Sequence, residues 1–298
     1  MDFVLSLISS PDAAELTPAL LERVNHGLEA ANATARPVTW LDPERAAEWR
    51  FAGDDAAVLE ELRRRLSDVP VDINVLPAQN RRKQLLISDM DATAIIGETL
   101  DELSNYTPHK DEIDNLTRQS VNGLMSFAET LVARVALMRG LGEDALEQTC
   151  LTIKPTPGMK TAIATMRASG AYTALVSGGF TYFTGRVREM IGFDCDVAND
   201  LEMEGGKLTG RIPPPLIDPQ AKVDTLVRLS TERSVPLPAT LAIGDGSNDI
   251  PMLKTAGLGI AFQGKPKVKQ EIPVWIDYAG PTGLLYLQGY RRDEFVER

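Results

Sequence analysis

The stretch Leu85-Leu86-Ile87-Ser88-Asp89-Met90-Asp91-Ala92-Thr93 decides the fold of this 298-residue chain. Its first four residues form a run that is too short for a helix and suits a strand buried on both faces. Asp89 and Asp91 follow at the carboxyl end of that strand, where ligands bind in open parallel sheets. Two neighbouring acids cost free energy unless a cation or a reaction uses them. The stretch therefore predicts a functional site, with an exposed turn as the alternative.

A second short apolar run that ends in acids lies far downstream. Residues 240–249 read Thr-Leu-Ala-Ile-Gly-Asp-Gly-Ser-Asn-Asp, and glycines flank Asp245 so that the backbone can approach a ligand closely. If the two strand tips meet, they bring together oxygen ligands of the kind that Mg²⁺ prefers. The alternatives are a hydrogen-bonded turn or a calcium loop, although the EF-hand spacing is absent.

The composition excludes several classes of protein. The apolar fraction of 43% and the charged fraction of 24% are ordinary for a globular protein. A net charge of −11 argues against nucleic acid as a partner. Two cysteines, Cys150 and Cys195, offer neither a disulfide framework nor a zinc cluster. The chain shows no basic leader and no apolar run of membrane-spanning length, which predicts a cytoplasmic protein without a membrane partner.

The first part of the chain predicts a small α+β domain. Strands are expected at 3–8, 37–41, 47–51 and 71–75, with helices that begin near Pro18 and Ala56. The order βαββαβ is that of a ferredoxin-like domain. We therefore predict a separate domain over residues 1–80, joined to the rest through residues 77–80.

After Thr93 the pattern becomes helical, with helices expected near 98–103, 111–121 and 125–138. Because this stretch interrupts an alternation of strands and helices, we predict a helical cap insertion at about 97–154 that covers the crevice. From Thr156 a doubly wound α/β rhythm resumes. The expected fold is thus a Rossmann-like parallel sheet over residues 81–298 with this cap inserted.

Several finer elements are expected in this second part. The strand 172–176 ends in the turn Ser177-Gly178-Gly179, whose N–H groups and hydroxyl can hold phosphoryl oxygens, although Ser-Gly-Gly alone is usually only a turn. Residues 196–211 predict a β-hairpin, Lys222 lies at the start of a helix, and residues 284–298 predict a final helix and a charged end.

The paired acids suit phosphoryl transfer. A carboxylate that accepts a phosphoryl group divides hydrolysis into two displacements, and the main demands are positioning and charge neutralisation. An acid two residues further on can protonate the leaving oxygen and then deprotonate water.

Four motifs occur in the order Asp89-x-Asp91-x-Thr93, Ser177-Gly178-Gly179, Lys222 and Gly244-Asp245-Gly246-Ser247-Asn248-Asp249. In these the chain resembles the haloacid dehalogenase superfamily, and within it the phosphoserine phosphatases, over residues 81 to about 290. The N-terminal part resembles, less specifically, the ACT-like domain that precedes many bacterial members.

The resemblance implies a role for each matched residue. Asp89 is implied as the phosphorylated nucleophile and a Mg²⁺ ligand, and Asp91 as the acid/base that also lends its backbone carbonyl to the metal. Asp245 is the implied second carboxylate ligand, which Asp249 supports. The implied phosphoryl contacts are Ser177, Gly178, Lys222 and Asn248. In the cap, Glu98 is implied to meet the substrate ammonium and Arg134 its carboxylate; without the resemblance both are ordinary solvated charges.

The expected activity is Mg²⁺-dependent hydrolysis of O-phosphoserine to serine and phosphate, the last step of serine biosynthesis. Val121 and Leu124 depart from the family's usual cap sequence, so the same chemistry on a different small phosphomonoester is one alternative. A binding or sensing protein whose catalysis has decayed is another. The expected partner is a small phosphorylated amino acid. The oligomeric state stays open, with a homodimer among the alternatives.

Overall fold

The N-terminal sheet is antiparallel in the structure, a computed structural model that describes residues 2–10, 16–121 and 124–297. The elements of this region are β1 Phe3–Ser9, α1 Pro18–Ala30, β2 Thr34–Ala35, β3 Thr39–Asp42, β4 Ala46–Ala52, α2 Asp55–Arg65 and β5 Val71–Pro77. The strands follow the order β2-β4-β1-β5, and β3 also pairs with β4. The predicted ferredoxin-like pattern is confirmed. The strand expected at 37–41 is β3, and the short strand β2 was not predicted.

Capping and packing explain the two helices of this region. Thr17 accepts a hydrogen bond from the Leu20 N–H (3.3 Å), and Asp54 accepts one from the Ala57 N–H (3.0 Å), so each helix begins at a capped residue. Both helices bury one apolar face against the sheet, in a core that includes Val24, Leu28, Val58 and Leu62.

The second sheet is parallel and doubly wound. Its strands follow the order β8-β7-β6-β11-β12-β13, with the bounds β6 Leu85–Ser88, β7 Tyr172–Phe180, β8 Cys195–Asn199, β11 Thr240–Gly244, β12 Leu258–Phe262 and β13 Trp275–Ile276. The chain order reverses between β6 and β11, which is where ligands bind in this class of fold. Asp89 and Asp245 directly follow these two strands. The predicted Rossmann-like sheet is confirmed.

Helices cover both faces of this sheet. One face packs on α7 Met159–Ala168, α8 Thr181–Ile191 and α12 Gly283–Leu287, and the other on α9 Pro219–Glu232, α10 Ile250–Thr255 and α11 Pro266–Glu271. In β6, Leu86 packs on the face that α7, α8 and α12 cover, whereas Leu85 and Ile87 pack on the face that α9, α10 and α11 cover. This alternation places apolar side chains on both faces, as the apolar run predicted.

The segment that was predicted as the cap consists of α3 Thr99–Ser104, α4 Lys110–Val121, α5 Phe127–Ala136 and α6 Glu143–Thr152. The chain enters through residues 94–98 and returns through 153–156, and these two segments are hydrogen-bonded to each other. The Ile96 N–H donates to the Lys154 carbonyl (2.9 Å), and the Thr156 N–H donates to the Ala94 carbonyl (3.0 Å). Helix α6 was not predicted, because its buried face consists of Ala145, Leu146 and Thr149 rather than a clear apolar stripe.

Three predicted elements differ in the structure. Ser177-Gly178-Gly179 is not a turn, because β7 continues to Phe180. The predicted hairpin is limited to β9 Met203–Glu204 and β10 Lys207–Leu208, while β8 pairs with β7 in the parallel sheet. The final α-helix ends at Leu287, and Gly289 then adopts a positive φ of 79°, which an L side chain rarely adopts.

The two sheets are joined by hydrogen bonds between β5 and the segment around β13. The buried Asp72 carboxylate accepts the N–H groups of three consecutive residues, Asp277 (2.7 Å), Tyr278 (3.2 Å) and Ala279 (2.9 Å). The Asn74 amide both donates to the Trp275 carbonyl (2.8 Å) and accepts from its N–H (2.9 Å). The region that was predicted as a separate domain is therefore in intimate contact with the parallel sheet.

We expect Asp72→Ala to lower the free energy of unfolding by about 3 kcal/mol. The substitution leaves three backbone N–H groups without their charged acceptor, and each such loss costs about 1–3 kcal/mol before water compensates. Urea denaturation measures the change. Asp68→Ala is the matched control, because Asp68 pairs with Arg23 on the surface. Loss of this surface pair should hardly change the urea concentration at the midpoint of unfolding. Equal midpoints for the two variants would contradict the assigned role of Asp72.

Candidate active site

Lys222 lies at the centre of the site and contacts two of the predicted acids. Its Nζ donates to Asp89 Oδ1 (2.7 Å) and to Asp249 Oδ1 (2.6 Å), and its side chain is 1% exposed. The residue lies in the first turn of α9, where Asp218 caps the helix by accepting the Ala221 N–H (2.8 Å). Burial opposes the charge of Lys222, but Asp249 and Asp89 outweigh burial and raise its pKa. Lys222 is therefore a fixed positive charge.

Three buried carboxylates form a cluster at the tips of β6 and β11. One oxygen from each of Asp89, Asp245 and Asp249 lies within 4.8 Å of the others. Burial raises the pKa of Asp245, and burial followed by the charge of Asp89 raises the pKa of Asp249. A cation would relieve this repulsion, and a set of hard oxygen donors fits Mg²⁺. These residues therefore form a candidate metal centre.

Asp249 was predicted only to support the metal ligands, and the structure places it within the cluster. Its two oxygens already have hydrogen-bond donors, because Oδ1 accepts from Lys222 and Oδ2 accepts from the Gly246 N–H (3.0 Å). Gly244 and Gly246 leave room for this arrangement. A Cβ at Gly244 would lie 2.6 Å from Asp249 Cγ, and one at Gly246 would meet the half-buried Asn248 side chain.

Asp91 lies outside this group of three and contacts the first residue of helix α3. Its Oδ1 accepts the N–H of Thr99, the first residue of α3 (2.7 Å). Ala92 has a positive φ of 50°, and its N–H donates to the Gly97 carbonyl (2.8 Å), so the chain turns tightly here. Desolvation raises the pKa of Asp91 to about 6. This carboxyl group can therefore hold and release a proton, which the role of acid/base requires.

The Ser177-Gly178-Gly179 segment lies beside Asp91. Ser177 is buried and its Oγ accepts the Gly179 N–H (2.8 Å), while a Cβ at Gly179 would lie 3.3 Å from Asp91 Oδ2. A Cβ at Gly178 would collide with the Phe127 ring, so the glycine lets the cap helix α5 approach the sheet. The segment is held from the other side, because the Asn199 amide donates to the Gly178 carbonyl (2.9 Å).

Glu98 is exposed and directly precedes Thr99, whose N–H binds Asp91. Loss of hydration, followed by the charges of Asp91 and Asp245, raises the pKa of its carboxyl group.

Arg134 is the second predicted cap residue. It lies seven residues after Phe127 on α5, so both project from the same side of the helix, the side that meets Gly178. The guanidinium pairs with Asp101, and its side chain is 13% exposed. The buried Arg134 Nε has no hydrogen-bond partner among residues 2–10, 16–121 and 124–297. The guanidinium therefore keeps donor capacity for a further acceptor.

The predicted effect of Val121 and Leu124 on the substrate pocket stays a prediction. Leu124 is 75% exposed. Asn122, Gly123 and the Val121 side chain lie outside the described residues.

One charged residue of the site was missed by the sequence analysis. Lys265 Nζ lies 3.1 Å from Asp245 Oδ2. A signal was present, because Gly264-Lys265-Pro266 follows β12, which is adjacent and parallel to β11. The carboxyl ends of adjacent parallel strands lie at the same edge of a sheet, so Lys265 could have been placed near Asp245.

Comparisons with known proteins agree with this geometry. The profile of the haloacid dehalogenase-like hydrolases matches residues 86–254, which hold both strand tips. The chain belongs to the haloacid dehalogenase-like hydrolases. This hydrolase is 33% identical to the phosphoserine phosphatase of Streptomyces coelicolor over 98% of its own length and 71% of the relative's. It is 34% identical to that of Saccharomyces cerevisiae over 78% and 76%.

A solved structure extends the likeness to both sheets. The probable phosphoserine phosphatase of Vibrio cholerae, in its unliganded form, has a TM-score of 0.79 at 27% identity and covers 98% of the hydrolase and 88% of its own chain. The hydrolase therefore falls within the phosphoserine phosphatase family and is a phosphatase enzyme. Helices that are both long and apolar enough to cross a membrane are absent from the described parts of the hydrolase.

Proposed function

We propose that this phosphatase hydrolyses O-phosphoserine to serine and phosphate through a phosphorylated Asp89, with Mg²⁺ as its cofactor. The observation that carries the proposal is the contact of Lys222 with Asp89 and Asp249 beside Asp245, at the switch point of the sheet. This arrangement supplies a carboxylate nucleophile, a buried positive charge and oxygen ligands for a metal within one small volume. The similarity to phosphoserine phosphatases supports the choice of substrate.

In the first proposed step, an Asp89 oxygen attacks phosphorus and the bond between phosphorus and the serine oxygen breaks. Asp91 donates its proton to the departing oxygen, so that neutral serine hydroxyl leaves. The raised pKa of Asp91 supports this role, because more of the carboxyl group is protonated near neutral pH. Lys222 stabilises the charge on the phosphoryl oxygens, with Ser177, Gly178 and Asn248 as further contacts.

In the second step, water attacks the phosphoryl group on Asp89 and passes a proton to the Asp91 carboxylate. The bond between phosphorus and the Asp89 oxygen breaks, which releases phosphate and restores both carboxyl groups. Asp89, Asp245 and the Asp91 backbone carbonyl would hold Mg²⁺. Asp249 would keep Lys222 and the Gly246 backbone in place through its two hydrogen bonds. When bound, the ion would neutralise charge between the phosphate and the acids.

The cap would recognise the amino-acid part of the substrate. Arg134 offers a planar pair of donors that suits a carboxylate, and its unpartnered Nε supports this role. Glu98 offers an acid for the substrate ammonium. We assign the cap to about 97–154, the small regulatory-type domain to 1–80 and the phosphatase to 81–298. The proposed partner is thus a small phosphorylated amino acid in the cytoplasm, and a homodimer is compatible with the proposal.

Turnover is expected to depend on both the metal and the amino-acid part of the substrate. Chelation with EDTA should lower the rate with O-phosphoserine by at least about 100-fold, and Mg²⁺ should restore it.

Phosphoethanolamine lacks the carboxylate of O-phosphoserine. Its kcat/KM should therefore be lower than that of O-phosphoserine by about 100-fold or more, because Arg134 is left without its acceptor. A phosphorylated hydroxy acid without the amine tests Glu98 in the same way. Phosphate release measures every rate.

The same measurements separate the alternatives. Equal kcat/KM for all the phosphomonoesters would support a different substrate and contradict the specificity that we propose. Inactivity towards every ester with Mg²⁺ present would favour the decayed sensing protein.

A further inference from the structure

Lys265 is tied to Asp245 through both its backbone and its side chain. The Lys265 N–H donates to the Asp245 carbonyl (3.2 Å), and its Nζ contacts Asp245 Oδ2 (3.1 Å). Pro266 follows as the first residue of α11 and restricts the backbone at this point. The backbone hydrogen bond therefore holds Lys265 beside Asp245, and the side chain reaches the carboxylate from there.

The two lysines of the site differ in their freedom to move. The Lys222 side chain is 1% exposed and contacts two carboxylates, whereas the Lys265 side chain is 56% exposed. An ammonium on a flexible four-carbon stem is readily hydrated, so Lys265 can turn into solvent at little cost. Lys265 also partly offsets the rise in the pKa of Glu98, the residue that directly precedes helix α3.

We propose that Lys265 is a positioning residue that acts as the counter-ion of Asp245 and opposes a divalent cation at that carboxylate. The inference rests on the proposed role of Asp245 as a metal ligand. Two cations that share one carboxylate repel each other, so metal binding drives the ammonium out towards solvent. Lys265 thereby lowers the affinity of the site for its metal, while Lys222 keeps its two contacts.

The test is calorimetric titration of the full chain with Mg²⁺, without substrate, in 0.15 M salt, where the Debye length is about 8 Å. Lys265→Met removes the charge and keeps the apolar stem, and it should lower the Kd for Mg²⁺ about fivefold. Lys265→Arg keeps the charge and should bind as the parent does. Lys254→Met is the matched control, because Lys254 is 52% exposed and pairs with one carboxylate, Glu271.

Unchanged or weaker Mg²⁺ binding by Lys265→Met, with a parent that binds normally, would overturn this inference and leave the proposed function standing. Equal tightening in Lys254→Met would also overturn it, because the effect would then come from net charge alone. A parent chain that binds no divalent cation would overturn both this inference and the proposed cofactor. Circular dichroism of each variant verifies that it is folded.

Discussion

Asp89→Asn is expected to lower kcat with O-phosphoserine by at least about 10⁴-fold. The amide is nearly isosteric with the carboxylate but is a poor nucleophile, and removal of a nucleophile commonly costs this much or more. The substitution should not unfold the chain. It removes one of three clustered carboxylates, and Lys222 keeps its contact with Asp249 (2.6 Å). Steady-state phosphate release measures the effect.

A trapping experiment tests the same step by a different route. Brief incubation of the parent with substrate radiolabelled at phosphorus, followed by acid, should leave label on the protein, whereas Asp89→Asn should carry none. Asp68→Asn is the control, because it changes an exposed acid that pairs with Arg23. An Asp89→Asn protein that retains more than a few per cent of the parent rate would rule out Asp89 as the nucleophile.

Arg134→Ala is expected to reduce kcat/KM for O-phosphoserine by about 30-fold to 1,000-fold. Charged hydrogen bonds contribute about 1.5–3 kcal/mol each, and the guanidinium can form two to the substrate carboxylate. The rate with phosphoethanolamine should change little, because that ester has no carboxylate to lose. Asp101 is 42% exposed, so loss of its partner returns it to water rather than leaving a buried charge.

The comparison of the two esters decides whether Arg134 recognises the substrate or only stabilises the cap. Arg139→Ala serves as the matched variant, since Arg139 is an exposed arginine nearby that donates to the Thr209 carbonyl (2.9 Å). Equal losses with both esters in Arg134→Ala would assign the residue to cap structure and refute its proposed contact with the carboxylate.

The parallel sheet and its switch point were predictable because each depends on local sequence. Buried parallel strands are short apolar runs, and the acids that follow β6 and β11 mark the edge where strand ends meet. These features required no knowledge of side-chain partners. The contact of Lys222 with Asp89 bridges 133 positions in the chain, and only the resemblance to a known family indicated it.

Features that depend on tertiary packing were not predictable in this way. Helix α6 buries a face of small and polar residues, so its periodicity is weak. The hydrogen bonds of Asp72 join segments about 200 residues apart, and an Asp within a strand pattern is normally read as solvent-exposed. Lys265 is different, because its position after β12 could have placed it near Asp245, and only its side-chain contact required the structure.

The adjacency of residues 94–98 and 153–156 has a consequence for how such enzymes can be altered. Since the backbone hydrogen bonds between these segments hold both ends of the insert side by side, a few linking residues would suffice to replace it. Exchange of this module for one from another phosphatase would leave the strand order of the sheet untouched. Ligand preference can thus diverge while the strand tips keep their acids, as long as the replacement supplies the N–H that Thr99 donates to Asp91.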